Sequence, residues 1–184
     1  MVNPIARWHA EHVNFSRLLD LLEEQVDEFH EGGSPNFDRM LEIVSYLRMF
    51  GDGSHHPRED AAFARLVMRA PTMRLPINRL LQEHRAIAVA GEELMTRLND
   101  VISGDVILRT TVEAAAALYL AYYRHHLATE EREILPRAER LLTAEDWQAV
   151  AAAVPSGSDP LFGAAPSETY RELRELMAAR ARAT

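Results

Sequence analysis

Residues 122–136, YYRHHLATEEREILP, set His126 and Glu130 four positions apart. On a helix that spacing brings an imidazole and a carboxylate to one face, with Cβ atoms roughly 5–6 Å apart, so both can turn toward a single ion. The same spacing also describes an ordinary exposed pair that contributes a few tenths of a kcal/mol. What lies elsewhere in the chain decides between the two.

Upstream, Ile5, Trp8, Phe15, Leu19, Leu22, Val26 and Phe29 step by threes and fours with one gap, which His12 fills. Such a stripe marks an amphipathic helix whose seam faces other helices, and it places His12 in the core. Glu31-Gly32-Gly33-Ser34-Pro35 ends it. A second helical run from Phe37 uses Met40, Val44 and Leu47 and meets GDGSHHPRED at 51–60. Gly51, Gly53 and Pro57 are expected to kink or interrupt it there, and beyond them His55, Glu59, Ala62 and Leu66 share a face up to Ala70-Pro71. The third run is Ile77, Leu80, Ile87, Gly91, Leu94, Leu98 and Ile102, with His84 in its single gap. After Ser103-Gly104-Asp105 a fourth carries Leu108, Val112, Ala115, Tyr119 and Tyr122 to His126, Glu130, Ile134 and Leu141.

Short breakers between long amphipathic helices predict an all-α, up-down-up-down antiparallel four-helix bundle over residues 1–142, and no segment has the alternation of a strand. Residues 143–184 read as a helical extension. Thr143 caps a short helix through Val154, a Pro, Gly and Ser rich loop spans Pro155–Pro166, and Ser167 caps a last helix from about Glu168 to Ala181. Its Tyr170, Leu173 and Met177 stripe suits packing on the bundle or self-association into a homo-oligomer.

Composition narrows the chemistry. A chain of 184 residues with 47% hydrophobic content is long enough for one well-cored domain. A net charge of -8 and a pI near 5.5 argue against nucleic acid as a partner. The absence of cysteine removes disulfides, thiolate metal sites and thiol catalysis. The N-terminus MVNPIARWHAEH has no apolar leader core, and no run reaches the roughly 18–20 apolar residues of a membrane span, so a soluble, cytoplasmic protein without a membrane partner is expected.

The chain also repeats itself. Ala10-Glu11-His12 matches Gln82-Glu83-His84, and His55-His56-Pro57-Arg58-Glu59-Asp60 matches His126-Leu127-Ala128-Thr129-Glu130-Glu131. His12 precedes His55 by 43 residues and His84 precedes His126 by 42. Two hairpins, each offering one His and one His-x3-Glu, would meet about a pseudo-twofold axis. The resulting metal-ligand set is His12, His55, Glu59, His84, His126 and Glu130. Imidazole and carboxylate without thiolate suit iron, manganese or zinc over calcium or magnesium, and two bridging carboxylates hold a pair of ions roughly 3.5–4 Å apart.

HHPREDAAF and HHLATEEREILP, each preceded by a seam histidine, resemble the hemerythrin-like HHE cation-binding proteins over about residues 5–142. The resemblance implies a non-haem di-iron centre held by those same six residues. It implies a small ligand such as oxygen, nitric oxide or peroxide, bound or sensed, with an enzymatic alternative of peroxide or nitric oxide turnover or iron delivery for iron-sulfur repair. The oxygen carriers of the family have a second third-helix histidine where Leu80 and Ala88 flank His84 here, which opens a coordination position. They also space the fourth-helix pair by five, which would select Glu131 in place of Glu130. The cysteine-containing segment of the iron-sulfur repair members has no counterpart here.

Of the remaining histidines, His56 and His125 read as exposed or touching the outer side of a ligand, His30 as solvated, and His9, three residues before His12, stays open. Tyr122 reads as lying on the His126 face, either as a core aromatic or as a hydrogen-bond donor to a bound species.

Overall fold

A computed structural model of the protein describes residues 4–155 and 157–182. Residues 1–3 of the expected bundle, Ser156 of the expected loop and the last two residues of the extension lie outside them. The first bundle helix is α1 (Pro4–His30), and the second is α2 (Phe37–Tyr46) joined to α3 (His56–Arg69). The third is α4 (Arg74–Ile102), and the fourth is α5 (Arg109–Thr129) followed by α6 (Leu135–Leu141). α1 packs on α2 and α5, and α4 packs on both as well, which closes the ring of an antiparallel bundle. α1 and α4 end alike, on Gly32 and Gly104 at φ of 85° and 83°, the left-handed conformation that glycine adopts without a Cβ penalty.

The break expected at Gly51 to Pro57 is not a break. Leu47–His55 continues the helix as nine residues of π-helix, and a second π-helical stretch, Glu130–Ile134, joins α5 to α6. Each ends two residues before a proline, Pro57 and Pro136. A proline ring crowds the carbonyl four residues back and offers no N–H, so a widened turn just ahead of it lets the chain stay helical.

The apolar seams bury as two separate clusters. One gathers Phe15, Leu18, Tyr46, Phe50, Leu94, Tyr119 and Tyr123, and the other Trp8, Phe63, Leu66, Ile77, Leu80, Ile134 and Leu135. Along every bundle helix the histidines and glutamates of the repeat fall between the two clusters, so a polar layer divides the core. Gly51 keeps the upper boundary of that layer tight, because a Cβ there would meet the Tyr123 hydroxyl at 2.6 Å. Tyr123 is fully buried and cannot swing away. Gly51→Ala is expected to lower unfolding stability by about 1–3 kcal/mol, measured by denaturant titration.

The C-terminal extension packs on the chain's own bundle. α7 (Ala144–Ala153) starts in the expected Thr143 capping box with Asp146, sets Trp147 edge-on to Trp8 at 5.6 Å, and receives the Arg69 Nε hydrogen bond on Asp146 at 3.0 Å. The following loop returns Asp159 to the Tyr46 hydroxyl, which donates to it at 3.1 Å. α8 (Arg171–Ala181) then buries Leu173 and Met177, with Tyr170 just ahead of it. Among the described residues no helix is long and apolar enough to cross a membrane.

Candidate metal centre

All six residues read from the repeat come together in the polar layer, buried to 7% exposure or less. Their imidazoles form two pairs, with Nε2 of His12 and His55 2.8 Å apart and Nε2 of His84 and His126 3.1 Å apart. Two nitrogens that meet one ion at right angles, each about 2.1 Å from it, stand about 3 Å apart, so each pair has the spacing of two ligands on one ion.

The glutamates lie between the pairs. Glu59 Oε1 is 3.1 Å from His55 Nε2 and 3.3 Å from His12 Nε2, while its Oε2 faces His84 Nε2 at 3.8 Å. Glu130 Oε2 is 3.1 Å from His126 Nε2 and 3.5 Å from His12 Nε2, and its Oε1 is 3.7 Å from His84 Nε2. Both side chains are fully buried and face imidazole nitrogens, yet none of their four oxygens accepts a well-directed hydrogen bond. Burying carboxylates without directed hydrogen bonds is expensive, so this donor set fits a cation at each imidazole pair.

A family model described as the hemerythrin HHE cation binding domain matches residues 3–138. The chain belongs to the hemerythrin HHE family. No curated protein and no solved structure matches it.

In this HHE bundle the repeat reaches further than the six inner residues. Each inner imidazole turns its Nδ1 to an outer carboxylate. His12 pairs with Glu131 at 2.7 Å, His55 with Glu11 at 2.6 Å, His84 with Asp60 at 2.7 Å and His126 with Glu83 at 3.4 Å. The pattern is twofold. The residue before each seam histidine serves the His-x3-Glu histidine of the same hairpin, and the residue after each glutamate serves the seam histidine of the other. The signal was present in the aligned repeats, where an acid precedes both seam histidines and follows both glutamates. The choice between Glu130 and Glu131 as the residue facing the layer is settled by position, since Glu130 points in and Glu131 lies outside His12, one-third exposed.

Outer carboxylates of this kind fix the tautomer of a ligand ring and raise its basicity. Asp60→Asn is expected to weaken metal affinity about 10–100-fold in chelator competition, with the number of sites unchanged. The two halves are not equally braced. Arg58 Nη2 donates to Glu11 at 2.9 Å, and although burial opposes its charge, His55 and Arg58 hold the Glu11 carboxyl down to about 2. Thr129 stands where Arg58 would in the second half.

Two expectations are sharpened. Of the two readings of His56, exposed or touching a ligand, the second holds: it is 3% exposed, stacks on His84 with ring centroids 4.2 Å apart, and has Nδ1 3.3 Å from Asp52 Oδ1. A bundle helix packs on two neighbours and so buries a face wider than one stripe, which draws in the position beside His55. Tyr122 is 43% exposed, whereas Tyr119 and Tyr123 point inward with buried, unpartnered hydroxyls. After Tyr119 the seam steps four, then three, to reach His126 through Tyr123, where three, then four, would pass through Tyr122. His9 hydrogen-bonds Glu131 Oε2 at 3.0 Å from the surface, and His125 and His30 are exposed.

A cleft of about 510 Å³ between α1 and α5 reaches this layer, with His12 and Glu131 at its inner end and Val13, Arg17, Arg124 and Leu127 among its walls.

Proposed function

We propose that the protein is a non-haem di-iron protein that binds a small oxidant or diatomic molecule, with His12 and His55 holding one ion, His84 and His126 the other, and Glu59 and Glu130 spanning both. The observation that supports it most directly is the pair of fully buried glutamates whose four oxygens accept no well-directed hydrogen bond and which lie between two imidazole pairs. Nitrogen and oxygen donors without thiolate suit iron, with manganese and zinc as competitors for the same ligands. When bound, the metal pair supplies the redox and Lewis-acid chemistry. The chain supplies rings locked by outer carboxylates, a buried layer between two apolar clusters, and a cleft beside His12.

A second reading, in which the centre turns peroxide over instead of holding a ligand, draws on the same cleft of about 510 Å³, which gives a small molecule access beside His12. Anaerobic loading with ferrous iron, followed by metal analysis of the desalted protein, is expected to find about two irons per chain. Uptake of none would exclude the di-iron reading. Steady-state peroxide consumption by the loaded protein then separates turnover from binding.

A further inference from the structure

Another cavity opens where the C-terminal extension meets α1. It has a volume of about 330 Å³, and Asn14 and Arg17 of α1, Leu161 and Phe162 of the loop, and Arg174 and Met177 of α8 are among its walls. The last four lie beyond the stretch that the hemerythrin HHE model matches, so the space is made by the extension docking on the bundle. Hydrogen bonds fix both sides of it. Asp159 Oδ1 accepts the backbone N–H groups of Leu161 and Phe162 at 2.8 and 2.9 Å, and Arg180 in the last turn of α8 donates to Glu24 of α1 at 2.8 Å.

The walls combine an apolar floor with positive charge that nothing neutralises. Leu161 and Met177 are buried, and Phe162 is half-buried beside them. Neither Arg17 nor Arg174 has a hydrogen bond or an ion pair among the described residues, and Arg174 is half-buried with its Nη1 enclosed and unpartnered. The acids that follow Arg17 along α1 are already engaged, Asp20 and Glu23 by Arg124 and Glu24 by Arg180. In a chain of net charge -8, two guanidinium groups therefore share one cavity and have no carboxylate between them. A guanidinium taken partly out of water without an acceptor is costly, and an anion from outside the chain removes that cost.

We propose that this cavity binds a small organic acid, with its carboxylate held by Arg17 and Arg174 and its apolar body laid over Leu161, Phe162 and Met177. A guanidinium offers a carboxylate two parallel N–H donors, which fixes the charged end, while the floor has use only for a ligand with hydrocarbon to bury. The volume lies at the lower end of the range for small-molecule clefts, roughly 300–1,000 Å³, which suits a monocarboxylic acid of medium chain length. None of these residues is a candidate metal ligand, so the site stands apart from the di-iron reading.

Octanoate is the probe, titrated calorimetrically into the full-length protein. One octanoate per chain is expected, with 1-octanol, which lacks the charge, and inorganic phosphate, which lacks the chain, each binding at least about tenfold more weakly. Arg17 also lines the cleft beside His12, so Arg174 is the cleaner residue to change. Arg174→Gln keeps most of the side-chain stem and is expected to weaken octanoate binding about 10–100-fold while leaving metal content unchanged. Circular dichroism checks the fold of the variant. A measurement that needs no variant of the arginines locates the ligand: in zinc-loaded, diamagnetic protein with 13C-labelled methionine methyls, octanoate should move the Met177 signal, assigned with Met177→Leu. Absence of octanoate binding, an unmoved Met177 signal at saturation, or equal affinity in folded Arg174→Gln overturns the proposal. Phosphate binding as tightly as octanoate would make this a site for inorganic anions, and octanol binding as tightly would make it an apolar pocket; each of these overturns it too.

Discussion

Glu59→Ala is expected to take bound metal from about two ions per chain to one or fewer, and to destabilise the metal-free protein as well. The first effect follows from position. Glu59 faces His12 and His55 with one oxygen and His84 with the other, so its loss removes a donor from both halves, whereas a histidine variant touches one. The second follows from burial. Without metal, burial opposes the Glu59 charge, but the His55 and His12 rings hold its carboxyl well below the ordinary value. Removing one side of such a buried set strands the charges left behind, at a cost of about 3–5 kcal/mol. Elemental analysis and chemical denaturation read the two effects separately. His125→Ala, at an exposed ring outside the layer, serves as the control and is expected to change neither. Full metal content in Glu59→Ala would remove this residue from between the ions.

That the two halves could be aligned at all came from the sequence, and the reason is physical. Period-3.6 seams with one histidine in the gap report which face is buried, and equal spacing in two hairpins reports that the buried positions meet. The limits lie where the helix leaves the 3.6 period. The π-helical stretches at Leu47–His55 and Glu130–Ile134 shift the phase of the face, and no local propensity announces them except the prolines that follow. A one-stripe seam omits the second neighbour of a bundle helix, so the seam alone does not bring His56 into the layer. Tyr122 and Tyr123 both fall at allowed steps from Tyr119, and packing against Phe15 and Gly51 selects Tyr123. Glu11, Asp60, Glu83 and Glu131 were visible as repeated acids, but their pairing across hairpins depends on the bundle's handedness, which a linear pattern does not carry. The placement of the C-terminal extension likewise involves contacts between residues far apart in sequence, such as Tyr170, just ahead of α8, edge-on to Tyr46 at 5.6 Å.

The largest pH effect should appear when metal is withdrawn. In the metal-free layer burial disfavours charged rings, yet the hydrogen bond to Glu131 and the nearby Glu59 carboxylate push His12 up to about 10, and the hydrogen bond to Asp60 and the nearby Glu130 carboxylate do the same for His84. His126 is raised too, by Glu130 against its own burial. An unfolded histidine titrates near 6.5, so stability from these rings is fully present below about pH 6.5 and is lost as pH rises through about 10. The carboxylates act oppositely. Glu11 sits at about 2 and Glu59, Glu130 and Glu131 are lowered, so their contribution is present above about pH 4.3 and falls away in acid. Metal-free protein should therefore be most stable near pH 5–6.5 and lose several kcal/mol toward pH 10. Metal reverses the alkaline arm. A ligating imidazole must be neutral, so binding displaces the protons of His12 and His84, and affinity should rise about tenfold per unit of pH for each proton released. Melts between pH 6 and 9, with chelator and with metal, should diverge as pH rises. Calorimetry in buffers of differing ionisation enthalpy should count at least about two protons released per chain at pH 7, from His12 and His84, with His126 adding to them. Parallel melting curves, or binding without proton release, would mean that these rings are already neutral and that the outer carboxylates do not hold them charged.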